Sequence, residues 1–436
     1  MSQENTTVIV THKRLNEAIT KALRQDPNAI IDAAQAAPPG GYEADETPPS
    51  AAEATGLMEE LLKSLQTLEA AEKKSGVLAA PDDQFTSLLQ SYLAEASLQT
   101  GKVESVDGGG LEAQFDERDI LGWAGSLFSW VRRLKPHKWL TAPSTAEPLP
   151  NTLRTAILGD WGSGLYGAPV CAKSIEDDPK GYGLLLHLGD VYYSGTESEV
   201  TNRFLKFWPK NPGAVSRACN SNHEMYSGGY GYFKKTLKEF KQAASYFALQ
   251  NDHWLLVGLD TGYEEAELAK DQVDWLKGLV AGAGNRRVVL FTHHQLFAWA
   301  ERAKGELQEQ LGDLLTSRQI FAWYWGHEHR CMLYSQHQDW GLYGRCVGHS
   351  GYPYFHDKFT EGVIDQHGPQ DTTWRKVDKK NNAPGGLILE GPNLYIKGHE
   401  NEYGPHGYMT LEFDGARLNE IVHAPDRSVV YERELV

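Results

Sequence analysis

Six short apolar runs alternate with helical patterns between residues 153 and 325, and this alternation constrains the fold more than any other feature. The runs are rich in Leu and β-branched residues and cover residues 153–158, 183–188, 214–219, 253–259, 287–292 and 320–325. Apolar residues at helical spacing lie between them, over residues 197–207, 232–244 and 268–279. Strands that alternate with helices predict an α/β domain with its strands buried under helices.

Five of these runs end in polar side chains that can bind a metal. These motifs are Gly159-Asp160, Gly189-Asp190 with Tyr193, Asn222-His223, His293-His294 and His327-Glu328-His329. Loops at the carboxyl ends of strands converge in α/β sheets, so we expect these side chains to lie together. Carboxylate, amide, phenol and imidazole donors suit hard or borderline cations, and no thiolate is required. The sequence therefore predicts a metal site at this edge of the domain.

The cysteine spacing and the net charge argue against a disulfide framework, a zinc knuckle and general nucleic-acid binding. The four cysteines lie far apart without a C-x-x-C pair, at Cys171, Cys219, Cys331 and Cys346. They indicate neither a disulfide framework nor a zinc knuckle, and we expect buried thiols. Acidic residues outnumber basic ones by 58 to 42, which gives a formal net charge of −16. This balance argues against general nucleic-acid binding, because phosphate backbones need a local excess of Lys and Arg.

No segment predicts membrane insertion or secretion. The longest mostly apolar stretch, residues 120–131, is shorter than the ~20 residues that a transmembrane helix needs. The first residues lack a long apolar segment and a small-residue cleavage site. We therefore expect a cytoplasmic protein without a transmembrane segment.

The first 140 residues differ from the rest of the chain. Apolar stripes at helical spacing include Leu57, Met58, Leu61, Leu62, Leu65 and Leu68, then Leu88, Leu89, Tyr92, Leu93 and Ala96. A third candidate helix covers residues 120–133. We predict a mostly helical N-terminal region over 1–140, of unknown role and able to bind a protein partner. We predict a proline-rich linker over residues 141–150. A second domain follows over residues 151–436, and its last strands lie within residues 408–435.

From Asp160 to His329, the order and spacing of the motifs resemble those of the calcineurin-like metallophosphoesterase family. The closest resemblance is to purple-acid-phosphatase-like members. The first motif reads Asp160-Trp161-Gly162, without the histidine of most branches, and Tyr193 stands three residues after Asp190. The resemblance implies a four-layer α/β/β/α sandwich over residues 151–436.

The resemblance also implies a binuclear metal centre. Asp160, Tyr193 and His329 would hold the first metal, Asp190 would bridge, and Asn222, His293 and His327 would hold the second. His223 would protonate the leaving oxygen or steady the transition state. In this branch the tyrosine-bound metal is Fe(III) and its partner Fe(II), Zn(II) or Mn(II), and Mn/Mn or Zn/Zn pairs are alternatives.

The implied function is hydrolysis of phosphate esters of small molecules or proteins by a metal-bridged hydroxide, with phosphomonoesters favoured. A phosphodiesterase or nucleotide hydrolase using the same site is one alternative, and a non-catalytic, metal-stabilised interaction module is another. His294, Arg330 and His349 are candidate substrate contacts, and Arg345 is a further one.

Two positions depart from the family pattern. Ser221 stands where the family has Gly, and we expect it to be tolerated. Gln295 stands where many members have Pro, which leaves both His293 and His294 as candidate ligands. We favour His293, because it directly follows a predicted strand.

Overall fold

The computed structural model divides the chain into two compact units. Residues 1–136 with 226–228 form the first unit, and residues 137–225 with 229–436 form the second. The residues described are 8–9, 56, 59–67, 70, 83–91, 103–106, 110–113 and 135–436, except 165, 270, 301, 302, 304, 357, 358 and 381.

The first unit contains two described helices and a small sheet. The helices cover residues 59–67 and 84–91, and Leu61, Leu65, Leu88 and Leu89 on the predicted stripes are buried. The strands are β1 (Val8–Ile9), β2 (Val103–Val106) and β3 (Gly110–Ala113), in the order β1-β3-β2. This sheet is absent from the sequence prediction, which has helices alone. Leu62 on the first stripe is half-buried, and the other stripe residues and the predicted helix 120–133 lie outside the described residues.

Sixteen described strands build the second unit. In chain order they are β4 (Glu147–Pro148), β5 (Thr152–Leu158), β6 (Leu184–His187), β7 (Val215–Ala218), β8 (Phe247–Gln250), β9 (Trp254–Gly258), β10 (Arg287–Thr292), β11 (Ile320–Trp325), β12 (Cys331–Tyr334), β13 (Tyr343–Val347), β14 (Val363–His367), β15 (Thr373–Val377), β16 (Gly386–Glu390), β17 (Tyr408–Asp414), β18 (Arg417–His423) and β19 (Val429–Glu434). All six predicted runs contain a strand, and β10 and β11 have the predicted bounds.

The strands form two sheets. The smaller sheet has the order β19-β18-β17-β5-β6-β7, and the larger has the order β14-β15-β16-β12-β13-β11-β10-β9-β8-β4. Strands β5, β6 and β7 are parallel, and so are β9, β10, β11 and β13. Within the segment predicted as a linker, β4 pairs with β8.

Helices cover the outer faces of the two sheets. From residue 167 onward, the described helices are Gly167–Glu176, Glu197–Glu199 continuing as a π-helix over Val200–Leu205, Asn222–Tyr226, a π-helix over Tyr232–Thr236 followed by Leu237–Glu239, Gln272–Ala281, Glu306–Gln310 and Gly312–Thr316.

Alternation along the strands explains the layers. In β5, Leu153 and Ile157 pack between the sheets, whereas Ala156 and Leu158 pack beneath the helix Gly167–Glu176. Residues two apart in a strand share a face, so each sheet supplies one face to the central layer and one to its helices. The arrangement is an α/β/β/α sandwich, which confirms the predicted fold class of this unit.

Two further predictions concern the cysteines and membrane-spanning helices. All four cysteines are buried and unpaired, as expected. Among the described residues, no helix combines the length and apolarity needed to cross a membrane.

Candidate metal centre

The candidate ligands lie where neighbouring strands of both sheets end. Asp160 and Asp190 follow β5 and β6 in the smaller sheet, while His293 follows β10 and His327 follows β11 in the larger. Because these strands are parallel within each sheet, their carboxyl ends share an edge. Rigid strands therefore present the side chains to one another across the gap between the sheets.

The backbone turns sharply at four of these residues. The φ angles are 55° at Asp160, 73° at Asp190, 67° at His327 and 51° at His329. Left-handed conformations are uncommon for residues other than glycine, and they concentrate at functional sites. The Asp160 carboxylate accepts the backbone N–H groups of His327 (2.9 Å) and His329 (3.3 Å), which ties the end of β11 to the end of β5.

Side-chain oxygen and nitrogen atoms of three other residues surround the ring nitrogen Nε2 of His293. Its Nδ1 lies 2.9 Å from the carbonyl oxygen of Leu188, so the ring proton sits on Nδ1 and Nε2 is a bare acceptor. That Nε2 lies 3.0 Å from Asn222 Oδ1, 3.2 Å from Asp190 Oδ1 and 3.1 Å from His327 Nδ1. Asp190 Oδ1 is buried without a hydrogen-bond donor. Imidazole nitrogens and side-chain oxygens that converge in this way could hold a bound cation.

A second group shares Asp190 with the first. Nitrogen and oxygen atoms of Asp160, Asp190 and His329 lie within 4.8 Å of one another, as do those of His293, His294 and His327. The other carboxylate oxygen of Asp190 lies 3.6 Å from His329 Nε2. Asp190 therefore faces both groups, one with each oxygen. This donor chemistry fits two cations, and the predicted ligands other than Tyr193 are brought together.

Tyr192, rather than the predicted Tyr193, reaches the second group. Its hydroxyl lies 2.9 Å from His329 Nε2 and 3.2 Å from Asp190 Oδ2. The Tyr193 ring instead lies beside Arg203, 5.7 Å from the guanidinium carbon, and its hydroxyl contacts no candidate ligand among the described residues. Burial raises the pKa of the Tyr193 phenol, although Arg203 opposes this effect. The side-chain positions therefore place the Tyr192 phenol, and not that of Tyr193, beside this group.

The local pairing of the chain explains this difference. Val191 forms a parallel β-bridge with Gly162, and the Tyr192 N–H donates to the Gly162 carbonyl at 3.0 Å. These contacts place the Tyr192 side chain on the side of Asp190, where its hydroxyl lies 3.2 Å from Asp190 Oδ2. Tyr193 turns the other way.

His223 lies beside this cluster. Its ring is buried, and Nδ1 lies 2.6 Å from the Tyr193 carbonyl oxygen, so the Nδ1 proton is donated there. The ring centre lies 3.9 Å from that of Tyr192. These contacts hold the His223 ring in one orientation next to the candidate ligands.

The two aspartates differ in charge. Burial acts to raise the pKa of Asp190, yet His293 and His223 hold it well below its ordinary value. For Asp160, burial raises the pKa to about 7, with Asp190 adding to this effect and His329 opposing it. Burial lowers the pKa of His293 to about 3. At neutral pH, Asp190 is ionised, His293 is neutral, and Asp160 is near its titration midpoint.

Metal binding should therefore release more protons in acid than in alkali. Below its pKa Asp160 is protonated in the metal-free protein, and it must lose that proton to bind a cation. We expect up to about one more proton released at about pH 6 than at about pH 8, with affinity falling as pH falls. Calorimetric titration of Mn²⁺ in buffers of different ionisation enthalpy measures this release. Asp160→Asn should remove the difference, and equal release by the original protein at both pH values would contradict the prediction.

The predicted substrate contacts have different surroundings. His294 is buried and bound to Thr261 Oγ1 at 3.0 Å, with its ring centre 4.6 Å from that of His327. Arg330 donates from Nε to the Glu328 carbonyl at 3.1 Å, next to the cluster. Both remain candidates.

His349 and Arg345 lie differently from the prediction. The His349 ring is fully buried, with a carbonyl that accepts the Gly407 N–H, and it offers no surface to a substrate. Arg345 is buried in a pair with Glu420, at 2.9 Å from Nε to Oε1. Its charge is already compensated, so it is not free for a phosphate.

Two residues outside the predicted ligand set support the site. Tyr352 stacks on Tyr192 with 4.7 Å between ring centres and lies 4.2 Å from the His329 ring. Glu199 accepts the backbone N–H groups of Tyr193 (2.7 Å) and Thr196 (3.1 Å), which fixes the loop after Asp190. The Thr196 and Glu199 spacing is a capping-box signal that the sequence does contain.

One family model matches part of this chain. Residues 153–331 match the model of the calcineurin-like phosphoesterase family. That range contains every candidate ligand, and the motif-based resemblance to the family is confirmed. This range of the chain is thus similar to the calcineurin-like phosphoesterases.

Three solved structures are similar to this chain at low identity. A purple acid phosphatase from yellow lupin (Lupinus luteus) seeds is 13% identical, with a TM-score of 0.47, over 68% of this chain and 55% of that chain. PhoD is 11% identical, with a TM-score of 0.40, over 68% of this chain and 73% of that chain. Vacuolar protein sorting 29 from Cryptosporidium parvum is 11% identical, with a TM-score of 0.32, over 65% and 98%. The chain thus spans about half the length of the lupin enzyme. No curated protein matched significantly.

Proposed function

We propose that this protein is a binuclear metallophosphoesterase, with phosphomonoesters as its favoured substrates. The observation that carries the proposal is the convergence of side-chain donor atoms on His293 Nε2, with Asn222 Oδ1, Asp190 Oδ1 and His327 Nδ1 all within 3.2 Å. These nitrogen and oxygen atoms are of the kind that binds hard or borderline cations. Asp190 extends the same argument to a second cation beside Asp160 and His329.

Residues of this chain have separate roles in the proposed reaction. Two bound metal ions would supply Lewis acidity toward the phosphoryl oxygens and a reactive water at neutral pH. Asp190 orients both sites, and Asn222 supplies an uncharged oxygen to one of them. His223 would donate a proton to the leaving oxygen, because the Tyr193 carbonyl fixes its ring through Nδ1 beside the candidate ligands.

The metal identity is part of the proposal. A phenol beside Asp190 and His329 suits a hard trivalent ion, so we propose Fe(III) on the Asp160 side. Fe(II), Zn(II) or Mn(II) would occupy the side of Asn222 and His293, and Mn/Mn or Zn/Zn pairs are alternatives. Buried, unpaired cysteines fit the reducing cytoplasm that we propose as its location.

Hydrolysis assays test this function directly. Full-length protein stripped with a chelator and reloaded with Fe, Mn or Zn should hydrolyse p-nitrophenyl phosphate faster than bis-p-nitrophenyl phosphate. His223→Ala should lower turnover by roughly 10²–10⁴-fold, whereas His367→Ala, on exposed β14, should leave it unchanged. Faster cleavage of the diester would favour the phosphodiesterase alternative. Failure of every metal-loaded form to cleave either compound would overturn the proposal and favour a non-catalytic interaction module.

A further inference from the structure

Ser221 contacts the turn that carries Asp190. Its side chain is fully buried, directly before Asn222, in the position where the family pattern has glycine. The Asp190 N–H donates to Ser221 Oγ and to Glu224 Oε2, each at 3.1 Å. The Ser221 hydroxyl also forms a short hydrogen bond with the Glu224 carboxyl group. Ser221, Glu224 and the Asp190 backbone therefore form one buried hydrogen-bonded group.

The same serine limits where this turn can go. Gly189 precedes Asp190 with a φ of 101°, and a Cβ placed on it would lie 2.8 Å from the Cβ of Ser221. The turn therefore packs directly against the serine. Asp190 itself has a left-handed backbone, which persists only where its surroundings hold it.

Small movements of Asp190 would affect both metal groups. One of its oxygens lies 3.2 Å from His293 Nε2, and the other lies 3.6 Å from His329 Nε2. We propose that Ser221 is a positioning residue that sets the place of Asp190 between the two groups by holding its backbone N–H together with Glu224. This inference rests on the proposed binuclear site and extends it to a residue outside the family pattern.

Ser221→Ala tests the inference in the full-length protein. Without the hydroxyl, Asp190 loses one of two N–H acceptors and Glu224 loses a partner. We expect Mn²⁺ affinity, measured by calorimetry, to fall by roughly 10–100-fold, as is typical when a residue that orients a ligand is lost. We expect kcat to fall with it, while KM changes little, because the serine contacts no substrate.

Ser216→Ala is the matched control. Ser216 lies in β7, five residues earlier, and its hydroxyl accepts the Trp208 Nε1–H at 3.0 Å, away from all candidate ligands. It should lower the melting temperature without changing Mn²⁺ affinity or kcat. A Ser221→Ala protein that lost only thermal stability, as this control does, would overturn the inference.

Glu224→Gln provides a second route in case Ser221→Ala does not fold. It keeps the side-chain shape, yet replaces one of the carboxyl oxygens of the group, so Mn²⁺ affinity should fall here too. Where both variants fold, the double variant should lose less affinity than the sum of the single losses. Unchanged Mn²⁺ affinity in Glu224→Gln, or strict additivity, would contradict the inference. If the original protein binds Mn²⁺ but does not cleave phosphoesters, the proposed function alone is overturned. If it binds no Mn²⁺, both the proposed function and the inference about Ser221 are overturned.

Discussion

Asp190→Asn should abolish binding of one metal ion and lower turnover by more than the roughly 10–100-fold that follows loss of a residue that only orients a ligand. Asp190 faces both metal groups, and its pKa lies well below the ordinary value, so it contributes a full negative charge. Asparagine keeps the size of the side chain and removes that charge. Metal analysis after dialysis and steady-state hydrolysis of p-nitrophenyl phosphate measure the two losses.

The metal-free form separates this effect from damage to the fold. In the original protein, Asp190 Oδ1 and His293 Nε2 are two acceptors 3.2 Å apart. The amide N–H of asparagine can donate to that nitrogen, so the metal-free variant should melt at the same temperature or higher. Asp365→Asn, on exposed β14, is the control and should change neither metal content nor turnover. An Asp190→Asn protein that held two Mn²⁺ ions at the original affinity would refute the assignment of Asp190 as the bridging residue.

The central strands were predictable from sequence because they are buried on both faces. Runs such as 287–292 and 320–325 are continuous and apolar, which a strand between a second sheet and a helix layer requires. The short antiparallel strand β12 was not predicted, since it begins two residues after His329 without a separating turn. Exposed β14 was not predicted either, because no buried face imposes a pattern on it.

In the candidate site, the ligands at strand ends could be predicted from the sequence, whereas contacts between distant residues could not. Motif order identified the strand ends that converge, and therefore Asp160, Asp190, His293 and His327. It could not reveal partners distant in the chain, such as Glu420, which binds Arg345 from 75 residues away. Neither could it show which face of an irregular loop points inward. The loop after β6 is held by the bridge between Val191 and Gly162, a contact between segments 29 residues apart in the chain.

The choice between the adjacent tyrosines is open to a spectroscopic test. If Fe(III) binds beside Asp190 and His329, the Tyr192 hydroxyl is the phenol within reach, at 3.2 Å and 2.9 Å from their side-chain atoms. Iron-loaded protein should then show a phenolate-to-Fe(III) absorption band in the visible. Tyr192→Phe should abolish the band, because phenylalanine keeps the ring and removes the oxygen donor. Tyr193→Phe is the matched control and should keep it.

Each outcome of this test has a separate meaning. Loss of the band in Tyr193→Phe, with retention in Tyr192→Phe, would restore the tyrosine of the family motif and contradict the side-chain arrangement described above. A colourless original protein that contains Fe(III) would overturn the tyrosinate proposal while leaving the other ligands intact. Because Tyr192 also packs against His223 and Tyr352, retention of its ring in phenylalanine should preserve this packing. Any fall in metal affinity in Tyr192→Phe would then report the missing oxygen rather than a displaced His223.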